Sequence, residues 1–307
     1  MGIAIRTESL TKVYPLPRRR GARVAVNELT MDVMEGQVFA FLGPNGAGKT
    51  TTIKALLGFI RPTSGRAEIF GRDISIPEVR RDVGYLPEQP YFHKFLTPRE
   101  ALSLHAALLG LGRKERKAQI ESALSITGLE EYQQVRVAKL SKGLMQRVGI
   151  AQALIGNPRL FILDEPTSGL DPIGRREMKD LILSLKNAGS TVFMSSHLLS
   201  EVEEICDQVA ILSKGTLVCR GAPDEIKQTG DMMNVACARM TKEAAEQLIL
   251  LGGQMSDGSE ALGAAVVKVP ANRVFDAIKT LEAHGLPLLG VSPERETLED
   301  AFMRLAA

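Results

Sequence analysis

The sequence predicts an α/β chain: a core of mainly parallel strands, interrupted by a helical subdomain and followed by a smaller α+β domain. Three observations carry this. Short apolar runs of strand length alternate with helical stretches along the first two thirds. A glycine-rich segment sits between one such strand and one such helix. Past Gly221 the texture changes to short strand candidates between amphipathic helices.

The first part opens with two segments, 3–14 and 24–42, that alternate or run apolar in short pieces. Val38-Phe39-Ala40-Phe41-Leu42 is the clearest buried strand. A glycine-rich turn follows, then a helix with Ile53, Leu56, Leu57 and Ile60 on one face. Pro62, Ser64 and Gly65 end it and lead into a strand at Ala67–Phe70. From about Thr97 to Gly156 the pattern is helical, with Leu102, Leu104, Leu108 and Leu109, then Ile120, Leu124 and Leu129. Strand signals return at Leu160–Leu163, Thr191–Met194 and Val209–Leu212.

The boundary is expected near Gly221-Ala222-Pro223, giving domains 1–221 and 222–307. The second should hold strands at Asn234–Arg239, Ala265–Val269 and Leu288–Val291 and a helix with Phe275, Ile278 and Leu281. A last helix with Leu298, Ala301, Phe302 and Leu305 follows Thr297, a suitable N-cap.

Composition excludes some classes. With 44% hydrophobic and 24% charged residues the chain resembles an ordinary soluble globular protein. A net charge of +2 gives no broad electrostatic attraction for nucleic acid, and no nucleic-acid partner is expected. Arg18-Arg19-Arg20 with Arg23 is a local exception, read as a solvated loop tip or as a phosphate-binding patch. Cys206, Cys219 and Cys237 lack metal-ligand spacing and suggest buried thiols in a reducing compartment. No secretory signal is visible, and no run approaches the ~20 apolar residues that span a bilayer. A cytoplasmic location is therefore expected, with any membrane role exerted through a partner.

Gly43-Pro44-Asn45-Gly46-Ala47-Gly48-Lys49-Thr50 fits the phosphate-loop pattern G-x-x-x-x-G-K-[ST] in full, in strand–loop–helix context. Glycines allow successive backbone N–H groups to curl round phosphate oxygens, and the helix that follows aims its amides and positive dipole end at the anion. Lys49 is expected to bridge the outer phosphates and Thr50 to offer its hydroxyl to Mg²⁺, with Thr51 beside it at the nucleotide. Lys49-Thr50 argues against the alternative of a dinucleotide site. A second feature, Leu160-Phe161-Ile162-Leu163-Asp164-Glu165, is an apolar strand ending in two acids. Asp164 is expected to hold Mg²⁺, through water, and Glu165 to orient or deprotonate the attacking water.

In order along residues 3–221, these motifs and five more resemble the ABC ATPases. Tyr14 stands where that family places an aromatic that stacks on adenine. Gln89 in Tyr85-Leu86-Pro87-Glu88-Gln89-Pro90 resembles the glutamine that touches Mg²⁺ and water and faces the membrane partner. Leu140-Ser141-Lys142-Gly143-Leu144-Met145-Gln146-Arg147 looks like the signature motif. Ser168-Gly169-Leu170-Asp171 resembles the D-loop, and His197 in Ser195-Ser196-His197 the switch histidine that contacts the γ-phosphate. The signature departs from the family's L-S-G-G-Q, with Lys142 in place of a glycine and Leu144 in place of the glutamine.

The resemblance implies a P-loop ATPase cassette with an antiparallel β part, a helical subdomain over about 97–156, and ATP and Mg²⁺ as cofactors. It implies that Ser141 and Gly143 complete the ATP site of a second cassette, identical or not, and that hydrolysis drives a separate integral membrane permease. The carboxyl-terminal region resembles extensions of exporter cassettes, which suggests export. The alternatives are a soluble ABC ATPase acting on ribosomes or nucleic acid, and a regulatory cassette that binds ATP without appreciable turnover.

Overall fold

The computed structural model describes residues 2–16, 21–227, 229–255 and 265–306. The arginines at 18, 19 and 20 lie outside the described residues. The chain divides into two compact units: Met1–Ile226 with Phe302–Ala307, and Lys227–Ala301.

The first unit contains two sheets. One is antiparallel and has four strands: β1 (Ile3–Pro15), β2 (Ala22–Met34), β4 (Ser64–Ile69) and β5 (Arg72–Asp73), in the order β2-β1-β4-β5. The other is built from β3 (Val38–Leu42), β6 (Val83–Leu86), β7 (Leu160–Asp164), β8 (Thr191–Ser196), β9 (Gln208–Ser213) and β10 (Thr216–Gly221). Its order is β10-β9-β3-β8-β7-β6, and all pairings are parallel except that of β10 with β9.

Every residue of β3, β7 and β8 is buried, as strands covered on both faces must be. That is why they read as apolar runs without alternation. Phe193 on β8 stacks on Phe39, with centroids 5.8 Å apart, and meets Phe41 at 5.4 Å. These rings place β8 beside β3, and thus the residues after β8 beside the loop after β3.

Helix α1 (Lys49–Leu56) follows the phosphate loop, and α2 (Pro98–Leu108), α3 (Arg113–Ile126) and α4 (Lys142–Leu154) form the helical subdomain. A capping box starts α2: the Thr97 hydroxyl accepts from Glu100 N–H while the Glu100 carboxylate accepts from Thr97 N–H at 2.8 Å. The three helices share their own core of Leu102, Ala106, Ile120, Leu124, Val148 and Ala151. The α1 helix closes sooner than its apolar periodicity suggests, because Gly58, at φ +68°, turns the chain before Ile60.

Two more helices, α5 (Pro172–Asn187) and α6 (Leu199–Ile205), connect β7 to β8 and β8 to β9. Asp171 caps α5 by accepting Gly174 N–H at 2.7 Å, with Pro172 at the first helical position. After β10 the short α7 (Pro223–Ile226) carries the first unit past the expected boundary at Gly221.

The second unit runs β11 (Thr229–Cys237), α8 (Lys242–Leu250), β12 (Gln254–Met255), β13 (Ala265–Pro270), α9 (Val274–Ala283), β14 (Leu288–Arg295). Its antiparallel order, β12-β13-β11-β14, is that of a split β-α-β motif. Val235, Leu248, Val267, Val269, Ala277 and Leu281 form its core. Helix α10 (Leu298–Ala306) begins in this unit and ends in the first, and Thr297 accepts Asp300 N–H at 3.1 Å at its start.

No helix among the described residues is long and apolar enough to cross a membrane. Cys206 and Cys237 are buried thiols and Cys219 is half-buried.

Candidate nucleotide site

The chain turns sharply after β3, and two glycines decide how. A Cβ on Gly43 would stand 2.7 Å from the Leu212 carbonyl oxygen. Gly48 has φ +111°, and a Cβ there would stand 2.4 Å from the Ala25 carbonyl oxygen. Only glycine fits that second position, both for its left-handed backbone and for its approach to β2. Gly48 is the N-cap of α1, so Lys49, Thr50 and Thr51 present first-turn N–H groups that a helix leaves without internal partners.

The loop lines a cavity of about 730 Å³. Tyr14, Gly43, Pro44, Asn45, Gly46, Gly48, Lys49, Thr50, Thr51, Glu165 and His197 all border it, joined by Leu16, Arg23, Ala25 and Glu88. Such a volume suits a ligand of nucleotide size. Ala47 differs from its neighbours in the motif. It is buried, its N–H closes a turn on Pro44 at 3.1 Å, and its carbonyl accepts from Gly215 N–H. Its part is to shape the loop.

Lys49 is itself buried. Its Nζ donates to the Gly43 carbonyl at 2.6 Å and lies 3.7 Å from Glu165 Oε1. The other oxygen of Glu165 is 2.6 Å from His197 Nδ1. Glu165 is thus held between a lysine and a histidine, at a left-handed φ of +51° that a non-glycine residue adopts only when its surroundings hold it there.

Asp164 lies under this pair, 4% exposed. The parallel pairing of β7 with β8 sets it opposite Ser195. Ser195 Oγ donates to Asp164 Oδ1 at 2.6 Å and accepts Glu165 N–H at 2.9 Å. Burial pushes the Asp164 carboxyl above its usual range, opposed by the Ser195 hydrogen bond. A dehydrated carboxylate of this kind is the oxygen environment a divalent cation relieves, and Thr50 offers a hydroxyl on the cavity wall. Among the described residues no cluster of three or more His, Cys, Asp or Glu could bind a metal alone. The donor set fits Mg²⁺ that also takes phosphate oxygens.

Three of the expected site residues lie elsewhere. Strand β6 ends at Leu86, and beyond Pro87 the chain bends so that Glu88, not Gln89, borders the cavity; Gln89 is exposed. The Glu88 carbonyl accepts from the fully buried Gln146 side chain at 3.1 Å, which ties this segment to α4. Ser141 caps α4 by accepting Leu144 N–H at 3.3 Å, and it and Gly143 lie outside this cavity. The Lys142 ammonium packs against Gly169, and Gly143 faces Leu170, so signature and D-loop segments adjoin each other.

Sequence reasoning gave Ser195 no role of its own. Its only signal was its place two residues before His197. Arg23, which the sequence allows in either a loop tip or a phosphate patch, lies on the cavity wall.

Comparison with known proteins agrees with this geometry. The ABC transporter family profile matches residues 26–168. An uncharacterised ABC transporter ATP-binding protein of Synechocystis is 36% identical over 98% of this chain and 84% of its own length. The chain belongs to the ABC transporter ATP-binding proteins. The bacitracin transport ATP-binding protein BcrA of Bacillus licheniformis is 45% identical over 74% of this chain and 72% of its own length. Among solved structures, cbiO1 of Clostridium perfringens, described as part of the ABC transporter complex cbiONQ, matches with TM-score 0.67 and 29% identity. That match covers 74% of this chain and 91% of cbiO1. The chain is an ATP-binding, ATP-hydrolysing transporter subunit with the α/β cassette fold.

Proposed function

We propose that this cassette works as one of a pair, identical or not, that share two ATP sites and drive a separate membrane permease outward. One observation carries the reading most. Loop, lysine, acid and histidine meet at one cavity, while Ser141 caps a helix outside it and Gly143 lies in that helix's first turn. An exposed helix N-terminus with a hydroxyl suits the γ-phosphate held by a second chain.

Within one site, loop amides and Lys49 hold the phosphates, and Tyr14 offers its ring to the adenine. Glu165 takes a proton from water as that water attacks the γ-phosphorus and the bond to the ADP oxygen breaks. His197, 2.6 Å from Glu165, orients the carboxylate and faces the same phosphate. Thr50 and Asp164 would hold Mg²⁺, with Ser195 fixing Asp164 and Gln89 reached from the permease side. When bound, the ion neutralises charge that develops on the phosphate oxygens.

Coupling would pass through the segment after β6. Tyr91 is 83% exposed and Phe95 67%, both in ring contact with His93 at 6.3 and 5.4 Å, and Leu104 and Leu108 on α2 are exposed as well. Apolar side chains so grouped on a surface favour a protein partner. Gln146 links this segment to the helix that begins at Ser141. A permease pressing on one therefore moves the other. On this reading the protein works at the cytoplasmic face of the membrane, held there by its partner. The departures in the signature and the carboxyl-terminal unit support export. Similarity to a protein named for bacitracin transport supports membrane work over action on ribosomes or nucleic acid.

Purification of tagged protein from membranes tests the reading. A polytopic membrane protein in stoichiometric amount is the expected companion; ribosomal or nucleic-acid material in its place would refute it.

A further inference from the structure

Arg23 has no role in the account so far. It stands on β2 directly opposite Tyr14 of β1, and with Ala25, two residues on, it borders the cavity. Its Nη2 comes within 3.4 Å of where a Cβ on Gly46 would stand, so the guanidinium rests against the phosphate loop. Among the described residues no carboxylate pairs with it, and the side chain is exposed. Among the described residues the cavity's other strong cation is differently placed: the Lys49 ammonium is buried, bonded to the Gly43 carbonyl and close to Glu165. An arginine that reaches an anion-binding loop without a carboxylate of its own presents a free fork of N–H donors to whatever anion the loop holds.

We propose that Arg23 is a second cationic ligand of the nucleotide's phosphate chain, reaching it from the β1–β2 side while Lys49 holds it from below. The inference rests on the reading of this cavity as an ATP site and adds to it a charge contact from outside the phosphate loop. Position supports phosphate over base. The residue paired with Arg23 is the aromatic one, and its own guanidinium lies over Gly46 in the middle of the loop. A guanidinium there gains most from a ligand that carries several negative charges, and its contribution weakens as salt screens it.

Calorimetric titration of ATP in the presence of Mg²⁺, across a series of salt concentrations, separates the possibilities. Full-length wild-type protein is compared with R23Q and R23K. R23Q is expected to weaken ATP binding about tenfold or more at low salt and to flatten the salt dependence. R23K, which keeps the charge and loses the fork, should fall between. Both variants alter an exposed side chain, and unchanged melting temperatures will show that they fold. R23Q binding within about twofold of wild type would overturn the inference. So would a loss of the same size at every salt concentration, since that marks contact with the base. Wild-type protein that takes up no ATP would refute the functional reading itself, an outcome distinct from both.

Discussion

The Ser195 hydroxyl donates to Asp164 Oδ1 across 2.6 Å and, with the same oxygen, accepts the Glu165 backbone N–H at 2.9 Å. One side chain on β8 thereby fixes both acids at the end of β7. The register of the two strands produces this, because Asp164 pairs with Ser195.

Ser195→Ala removes a donor from a buried carboxylate and an acceptor from a backbone amide. We expect a loss of about 1–3 kcal/mol in stability, measured by denaturant unfolding. Outer partners of this kind also tune the groups they hold, so ATP turnover should fall about 10–100-fold while ATP binding changes less. Steady-state kinetics gives that split between kcat and KM.

Glu165→Gln keeps the shape of the side chain and removes its basicity. Hydrolysis should slow by about 10²–10⁴-fold, with ATP still bound. With turnover blocked, ATP should hold two cassettes together, and size-exclusion chromatography with Mg-ATP and the permease supplied should show the larger species. A protein that stays monomeric under those conditions would count against the shared site.

Much of this site was legible because its motifs are local. The phosphate loop announces itself through Gly48 and Lys49, whose spacing follows from the turn they make. The strand ending in Asp164 and Glu165 is readable as four apolar residues followed by two acids. What stayed hidden depends on strand order. Nothing in the chain reveals that β8 lies between β3 and β7, so the bond from Ser195 to Asp164 could not be seen. Arg23 was ambiguous for the same reason, since its meaning comes from the contact of β2 with the loop. Gln89 was assigned by resemblance. The bend after Pro87, which turns it outward, has no signal in the residues themselves.

Gly48→Ala places a methyl group 2.4 Å from the Ala25 carbonyl at a φ of +111°. The expected cost is about 1–3 kcal/mol from backbone strain, with further loss from the clash, and ATP affinity should fall with it. Thermal melting and nucleotide titration of the same sample check both.

The thiols report on the fold separately. Burial pushes the Cys206 thiol far above its usual range, and Cys237 is also buried and shifted upward. Both should resist a thiol reagent in native protein, since the thiolate is the reactive form. Half-buried Cys219 should react first, and all three should react in denaturant.

The central claim is that the loop around Gly48 and the acids after β7 form one Mg-ATP site. Calorimetric titration of Mg-ATP into the folded full-length chain, beside Lys49→Ala, tests it most directly. The account predicts uptake of one nucleotide per chain by the wild type and its loss in the variant. Folded wild-type protein that releases no heat, or a variant that binds as tightly, would contradict it.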